Sequence, residues 1–129
     1  MKKVLLILTV LCVQMFAKFE TIEVDQNTIN DQNIQIIDVR TPAEWEQTGV
    51  LNGAILVTYR NSDGSINPNF VNEVKSKIDP NKKVAVICRS GARSKAASTL
   101  LDENGVDGVI NLGGGMNKVL DKKLPTVKP

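Results

Sequence analysis

Seven residues in the second half of the chain concentrate its reactive side chains: Cys88-Arg89-Ser90-Gly91-Ala92-Arg93-Ser94. They follow Val84-Ala85-Val86-Ile87, an apolar run with the pattern of a buried strand. After them, Arg93 to Glu103 places Ala96, Ala97, Leu100 and Leu101 on one helical face. Cys88 is therefore expected where a strand ends and a helix begins, the edge of a parallel α/β sheet at which ligands bind. A helix start leaves backbone N–H groups unpaired and carries partial positive charge. A thiolate facing it is stabilised, and thiols so placed fall below their ordinary pKa of about 8.5. Arg89 and Arg93 add two cations in the same turn. The chain has no histidine, so loop amides and arginines would have to activate the sulfur. A buried structural cysteine is the competing reading. A polar, twice-basic loop with a glycine is a poor wall for an inert thiol.

A second chemical position is Asp38, which follows the apolar run from Ile34 and should lie at the carboxyl end of its strand. A bare carboxylate beside a thiolate would oppose anion binding. Asp38 therefore reads as a buried acceptor for loop amides.

The segment Cys88 to Ser94 resembles the active-site loop of the single-domain rhodaneses, the thiosulfate sulfurtransferase family. Two further stretches resemble that family in the same order. One is Ile36-Ile37-Asp38-Val39-Arg40-Thr41-Pro42-Ala43-Glu44-Trp45 followed by Gly49-Val50-Leu51-Asn52-Gly53-Ala54; the other is Asn111-Leu112-Gly113-Gly114-Gly115-Met116. The three span about 80 residues, most of one domain. The resemblance implies sulfur transfer through a persulfide on Cys88, from a thiosulfate-like anion to cyanide or a thiol. It implies that loop amides from Arg89 to Ser94, including those of Ser90, Gly91 and Ala92, cradle the sulfur. Arg89 and Arg93 would hold the donor, and Ser90 and Ser94 would offer hydroxyls. Arg40 resembles a structural ion-pair position, with Glu44 as candidate mate. No metal or organic cofactor is implied. The chain departs from the family pattern at Val50, where histidine is usual, and at Val119, where an aromatic is frequent; both bear on packing and access.

These residues must be held by regular elements. A weak strand is expected over Phe19 to Val24 and a helical turn from Asp25 to Asn30. Ile34 to Val39 is a clear strand. Thr41-Pro42-Ala43-Glu44 is a capping box with proline at the first helical position, and Gly49 should end that helix. Ala54 to Val57 reads as a strand, with Arg60 after it as a minor candidate for an anionic substrate. Asn67-Pro68 should start a helix with Phe70, Val71, Val74 and Ile78 on one face. Gly105 suits the position after the next helix, a last strand lies within Val106 to Leu112, and Gly113-Gly114-Gly115 opens a final helix. Leu124 to Pro129 reads as a frayed tail. Strands alternating with helices predict an α/β domain: a mostly parallel five-stranded sheet with helices on both faces. The rhodanese resemblance implies the same single domain.

Residues 1–17 read as a secretory signal peptide: Lys2 and Lys3, an apolar run from Val4 to Val13, and Ala17 at the cleavage position. The run is short for a bilayer span, so no membrane attachment is expected after cleavage. The domain then covers 18–129, exported to a bacterial periplasm. Loss of Lys2 and Lys3 leaves 14 basic against 14 acidic side chains, which excludes the basic excess of a nucleic-acid binder. Loss of Cys12 leaves Cys88 as the sole thiol, so a periplasmic redox partner would keep it reduced. Two other classes stay open. One is a non-catalytic binding or sulfur-carrier module. The other is a phosphatase or arsenate reductase, whose loops read Cys-x5-Arg against the Cys-x4-Arg here.

Overall fold

The computed structural model describes residues 19–129; the leader expected over 1–17 lies outside them. Ten elements alternate along the chain: β1 (Glu20–Glu23), α1 (Gln26–Asn30), β2 (Ile34–Asp38), α2 (Pro42–Thr48), β3 (Ile55–Leu56), α3 (Phe70–Lys77), β4 (Lys83–Ile87), α4 (Ala92–Glu103), β5 (Val109–Gly113) and α5 (Gly115–Asp121). The sheet runs β1-β5-β4-β2-β3, and every strand pair is parallel. The expected sheet is thus fully parallel, with β4 at its centre. Its register with β2 sets Asp38 opposite Ile87, bringing the loops after β2 and β4 to one edge.

Alternation along the strands divides the core in two. Ile37 and Val39, Val84, Val86 and Cys88, and Val109 face Phe70 and Val74 of α3 and Ala97 and Leu101 of α4. Ile36, Ala85, Ile87, Ile110 and Leu112 face Met116 and Val119 of α5, with Ile29 of α1 alongside. Helices therefore cover both faces. Val119 is fully buried, so the smaller side chain fills a core position.

Local signals act as elementary chemistry dictates. Asp25 caps α1 through Thr28 N, and Thr41 and Glu44 complete the capping box of α2. Three expectations change. The buried stripe of α4 is Ser94, Ala97, Ser98 and Leu101, while Ala96 is exposed. The helical spacing is right but the phase is turned, because Ser94 points inward to the sulfur. Asn67 does not cap α3; its Oδ1 accepts from Asn69 N, and α3 begins at Phe70. The tail is tied down: Val50 and Val127 exchange backbone hydrogen bonds of 2.9 and 2.8 Å. Val50 is buried, and its peptide groups need those partners.

Candidate active site

Cys88 directly follows β4 and is 1% exposed. Gly91 sits at φ +110°, the left-handed region in which a side chain is strained, and serves as N-cap of α4. That turn aims Gly91 N at the sulfur, and it donates to Cys88 Sγ at 3.1 Å. Of the loop amides expected to face the sulfur, Gly91's is the one that hydrogen-bonds to it. The second contact is Ser94: Cys88 Sγ lies 3.3 Å from its Oγ. Ser90 and Ala92 are exposed on the outer side of the loop.

The loop is held from behind by α5. Met116 N donates to Cys88 O at 2.8 Å and Asn117 N to Arg89 O at 3.0 Å. These bonds turn the loop carbonyls away from the sulfur and use two of the unpaired amides at a helix start. The approach is so close that a Cβ on Gly115, at φ +56°, would stand 2.7 Å from Arg89 O and closer still to Cys88 O.

The carboxylates are arranged differently from expectation. Arg40, buried beside Asp38, donates to it from Nε and Nη2, the latter at 2.8 Å. Asp38 also accepts from Arg40 N and from Trp45 Nε1. Arg40 closes the α2 turn by donating to Thr48 Oγ1 and Gly49 O. Its carboxylate partner is thus Asp38, and only the backbone oxygen of Glu44 lies near it, at 3.4 Å. The Glu44 carboxylate belongs to Arg93, in a two-pronged pair of 2.6 and 2.7 Å. Hydrogen bonds from Arg93 hold the Glu44 carboxyl down to about 2, and the same bonds push the Arg93 guanidinium up. Arg89 is exposed and makes no side-chain hydrogen bond among the described residues.

Beside the loop, reached from it by Arg89 and Arg93, lies an open cleft of about 440 Å³ that is also lined by Thr41, Glu44, Arg60 and Asn61 among others. Three arginines against one carboxylate make it a cationic depression suited to a small anion. Arg60, a minor candidate on sequence, belongs here; its Nη1 donates to Gly64 O. Residues that the sequence reading passed over are Asn111 and Thr21. Asn111 Oδ1 accepts from Ser94 Oγ at 2.6 Å, and Asn111 is 3% exposed. Strand alternation places it on the face of Val109 and Cys88, and a polar side chain there needs a partner. Among the described residues no cluster of His, Cys, Asp and Glu could hold a metal. No helix among them is long and apolar enough to cross a membrane.

Comparison with known proteins gives the same outline. Thiosulfate sulfurtransferase 16, chloroplastic, of Arabidopsis thaliana is 41% identical over 93 residues, covering 70% of this chain and 77% of that protein. A sulfurtransferase of Allochromatium vinosum is 29% identical over 116 residues, covering 89% and 98%. The crystal structure of Rv0390 from M. tuberculosis superposes with a TM-score of 0.61 at 32% identity, covering 69% and 70%. The rhodanese-like domain model matches residues 22–122, from β1 through the Asp38–Arg40 pair and the Cys88 loop to the end of α5, and the chain belongs to the rhodanese family.

Proposed function

We propose that the chain is a sulfurtransferase that carries sulfane sulfur on Cys88. In the first step the Cys88 thiolate attacks the outer sulfur of thiosulfate or a similar donor. A bond forms between Sγ and that sulfur, the donor's S–S bond breaks, and sulfite leaves with the bonding pair. In the second step cyanide or a thiolate attacks the outer sulfur of the persulfide, and Cys88 departs as the thiolate. The Gly91 amide and the Ser94 hydroxyl stabilise the anionic sulfur in both resting states. Arg89, with Arg60 and Arg93 beside it, draws the anionic donor into the cleft. Asp38 and Arg40 hold α2, which sets Glu44 against Arg93, and touch no substrate.

The observation that carries this reading is the placement of Sγ after the central strand, 3.1 Å from a glycine amide, on a segment whose Arg89 and Arg93 line a cleft with Arg60. The leader over residues 1–17 makes the enzyme an exported one, supplied with electrons for its thiol by a redox partner of the same compartment.

Intact-mass measurement tests the reading. The purified protein is treated with thiosulfate and then with cyanide, beside Cys88→Ser. A gain of one sulfur atom, absent from the variant and discharged by cyanide, is the expected result. A reduced, free Cys88 that gains no sulfur from thiosulfate or polysulfide would make the non-catalytic module the better description.

A further inference from the structure

From the sulfur to the edge of the sheet runs a chain of polar groups of which the proposed reaction uses only the first, Ser94. Ser94 is fully buried, and its single hydroxyl proton has three neighbours. Its Oγ stands 3.3 Å from Cys88 Sγ, 3.1 Å from Gly91 O and 2.6 Å from Asn111 Oδ1. Asn111 Nδ2 in turn lies 3.4 Å from Thr21 Oγ1. Thr21 is the register partner of Asn111 on the edge strand β1 and is exposed. Cys88, Ser94, Asn111 and Thr21 thus form one line from the buried sulfur to water.

With Cys88 as a thiol, all the bonds of this line point outward. The S–H donates to Ser94, Ser94 donates to Asn111 Oδ1, and Asn111 Nδ2 donates to Thr21. A thiolate or persulfide anion has no proton to give. Gly91 N supplies one donor, and Ser94 supplies the second by turning its hydroxyl toward the sulfur, because a buried anion accepts more than one hydrogen bond. That turn would leave two oxygens, Ser94 Oγ and Asn111 Oδ1, facing each other 2.6 Å apart with no proton between them. An amide resolves the conflict. A half-turn presents Nδ2 to Ser94, and the Thr21 hydroxyl, which water reaches, donates to Oδ1. A carboxylate cannot do this, because it only accepts.

We infer that Asn111 is a positioning residue: its amide reverses the Ser94 hydrogen bond so that one buried site satisfies both the protonated and the anionic sulfur. The inference rests on Cys88 being the reactive group and extends to how its charge states interconvert. The charged groups around the sulfur are Arg89 and Arg93 on its own loop and helix, Glu44 on α2, and the Asp38–Arg40 pair after β2. On the side of α5, Lys118 and Lys122 pair with Glu23. Strand β5 itself contributes no charge, so the effect of Asn111 must travel through Ser94.

The test reads the pH midpoint of Cys88 alkylation by iodoacetamide, with Cys12 replaced by serine throughout. It needs no sulfur donor, so its failure is distinct from a failure of thiosulfate to load the protein. Asn111→Asp should fix the Ser94 proton on the carboxylate and raise the midpoint by about one pH unit, the scale of one lost bond to a charged group. In a Ser94→Ala chain the same substitution acts only through its charge, and the rise should be much smaller. Asn111→Leu frees the Ser94 hydroxyl for the sulfur and should leave the midpoint at or below its original value, while Ser94→Thr should keep it. Equal rises from Asn111→Asp with and without the Ser94 hydroxyl would overturn the inference. If the aspartate variant does not fold, Asn111→Leu decides alone: a rise matching that of Ser94→Ala would show that Asn111 merely props the serine in place.

Discussion

Replacing Glu44 by glutamine should tighten donor binding and weaken the fold at once. The Glu44 carboxylate holds both terminal nitrogens of Arg93, so the arginine in the first turn of α4 is already occupied, and a negative charge lines the anion cleft. Two unit charges about 6 Å apart in a water-like medium interact by about 0.7 kcal/mol. A dianionic donor would therefore gain about 1.4 kcal/mol when that carboxylate is neutralised, close to tenfold in KM before salt screening. At moderate ionic strength a three- to tenfold fall in the KM for thiosulfate is expected, with kcat little changed. Glutamine serves the capping box as glutamate does, so α2 keeps its start. The stability cost is bounded by the carboxyl's displacement from 4.5 to about 2. At face value that is about 3 kcal/mol. With the two side chains 24% and 21% exposed, water screens most of it, and about 1 kcal/mol is expected. Because the folded value is depressed, the contribution is complete above pH 4.5 and disappears as pH falls through about 2. The difference in Tm between the two proteins should close over that window. Steady-state kinetics with cyanide as acceptor, at low and high salt, provide the assay. An unchanged or higher KM in Glu44→Gln would refute the reasoning and make Glu44 the residue that holds Arg93 ready for the donor.

Two further outcomes follow from the packing. Gly115→Ala places a methyl group against Cys88 O and Arg89 O at φ +56°. The left-handed backbone alone costs about 1–2 kcal/mol, and the bonds from Met116 and Asn117 must lengthen as well, so a loss of about 3 kcal/mol in urea denaturation should accompany sulfur loading slowed more than tenfold. Arg40→Met leaves Asp38 charged and buried without its cation, which should cost about 3–5 kcal/mol; the double variant Asp38→Leu, Arg40→Met should recover a large part of that loss when both are compared by denaturation.

What the sequence made legible is what short-range chemistry decides. A β-branched run, a cysteine and a glycine loop located the strand–helix junction, and Thr41-Pro42-Ala43-Glu44 located α2 within a residue. What it hid depends on contacts between distant segments. Glu44 and Arg93 are 49 positions apart, so Glu44 looked like a mate for its near neighbour Arg40. On α4 the apolar residues Ala96 and Leu100 suggested an inward face, yet two serines hold the buried stripe because one of them reaches the sulfur. Asn111 was quoted only as part of a glycine motif; its role appears once β5 lies beside β1 and α4 crosses the same face. The tail looked unanchored until Val50 supplied both its partners.

The support of the Cys88 loop by α5 also has a consequence for truncation. The donors to Cys88 O and Arg89 O come from Met116 and Asn117, almost thirty positions further along the chain. The thiol and the support of its loop are therefore encoded in different stretches of the chain. The sheltered, directed geometry of the sulfur depends on β5 in the sheet and α5 against the loop. A chain cut short before α5 would therefore keep the thiol and the residues of its loop but lose both donors that hold the loop's carbonyls away from it.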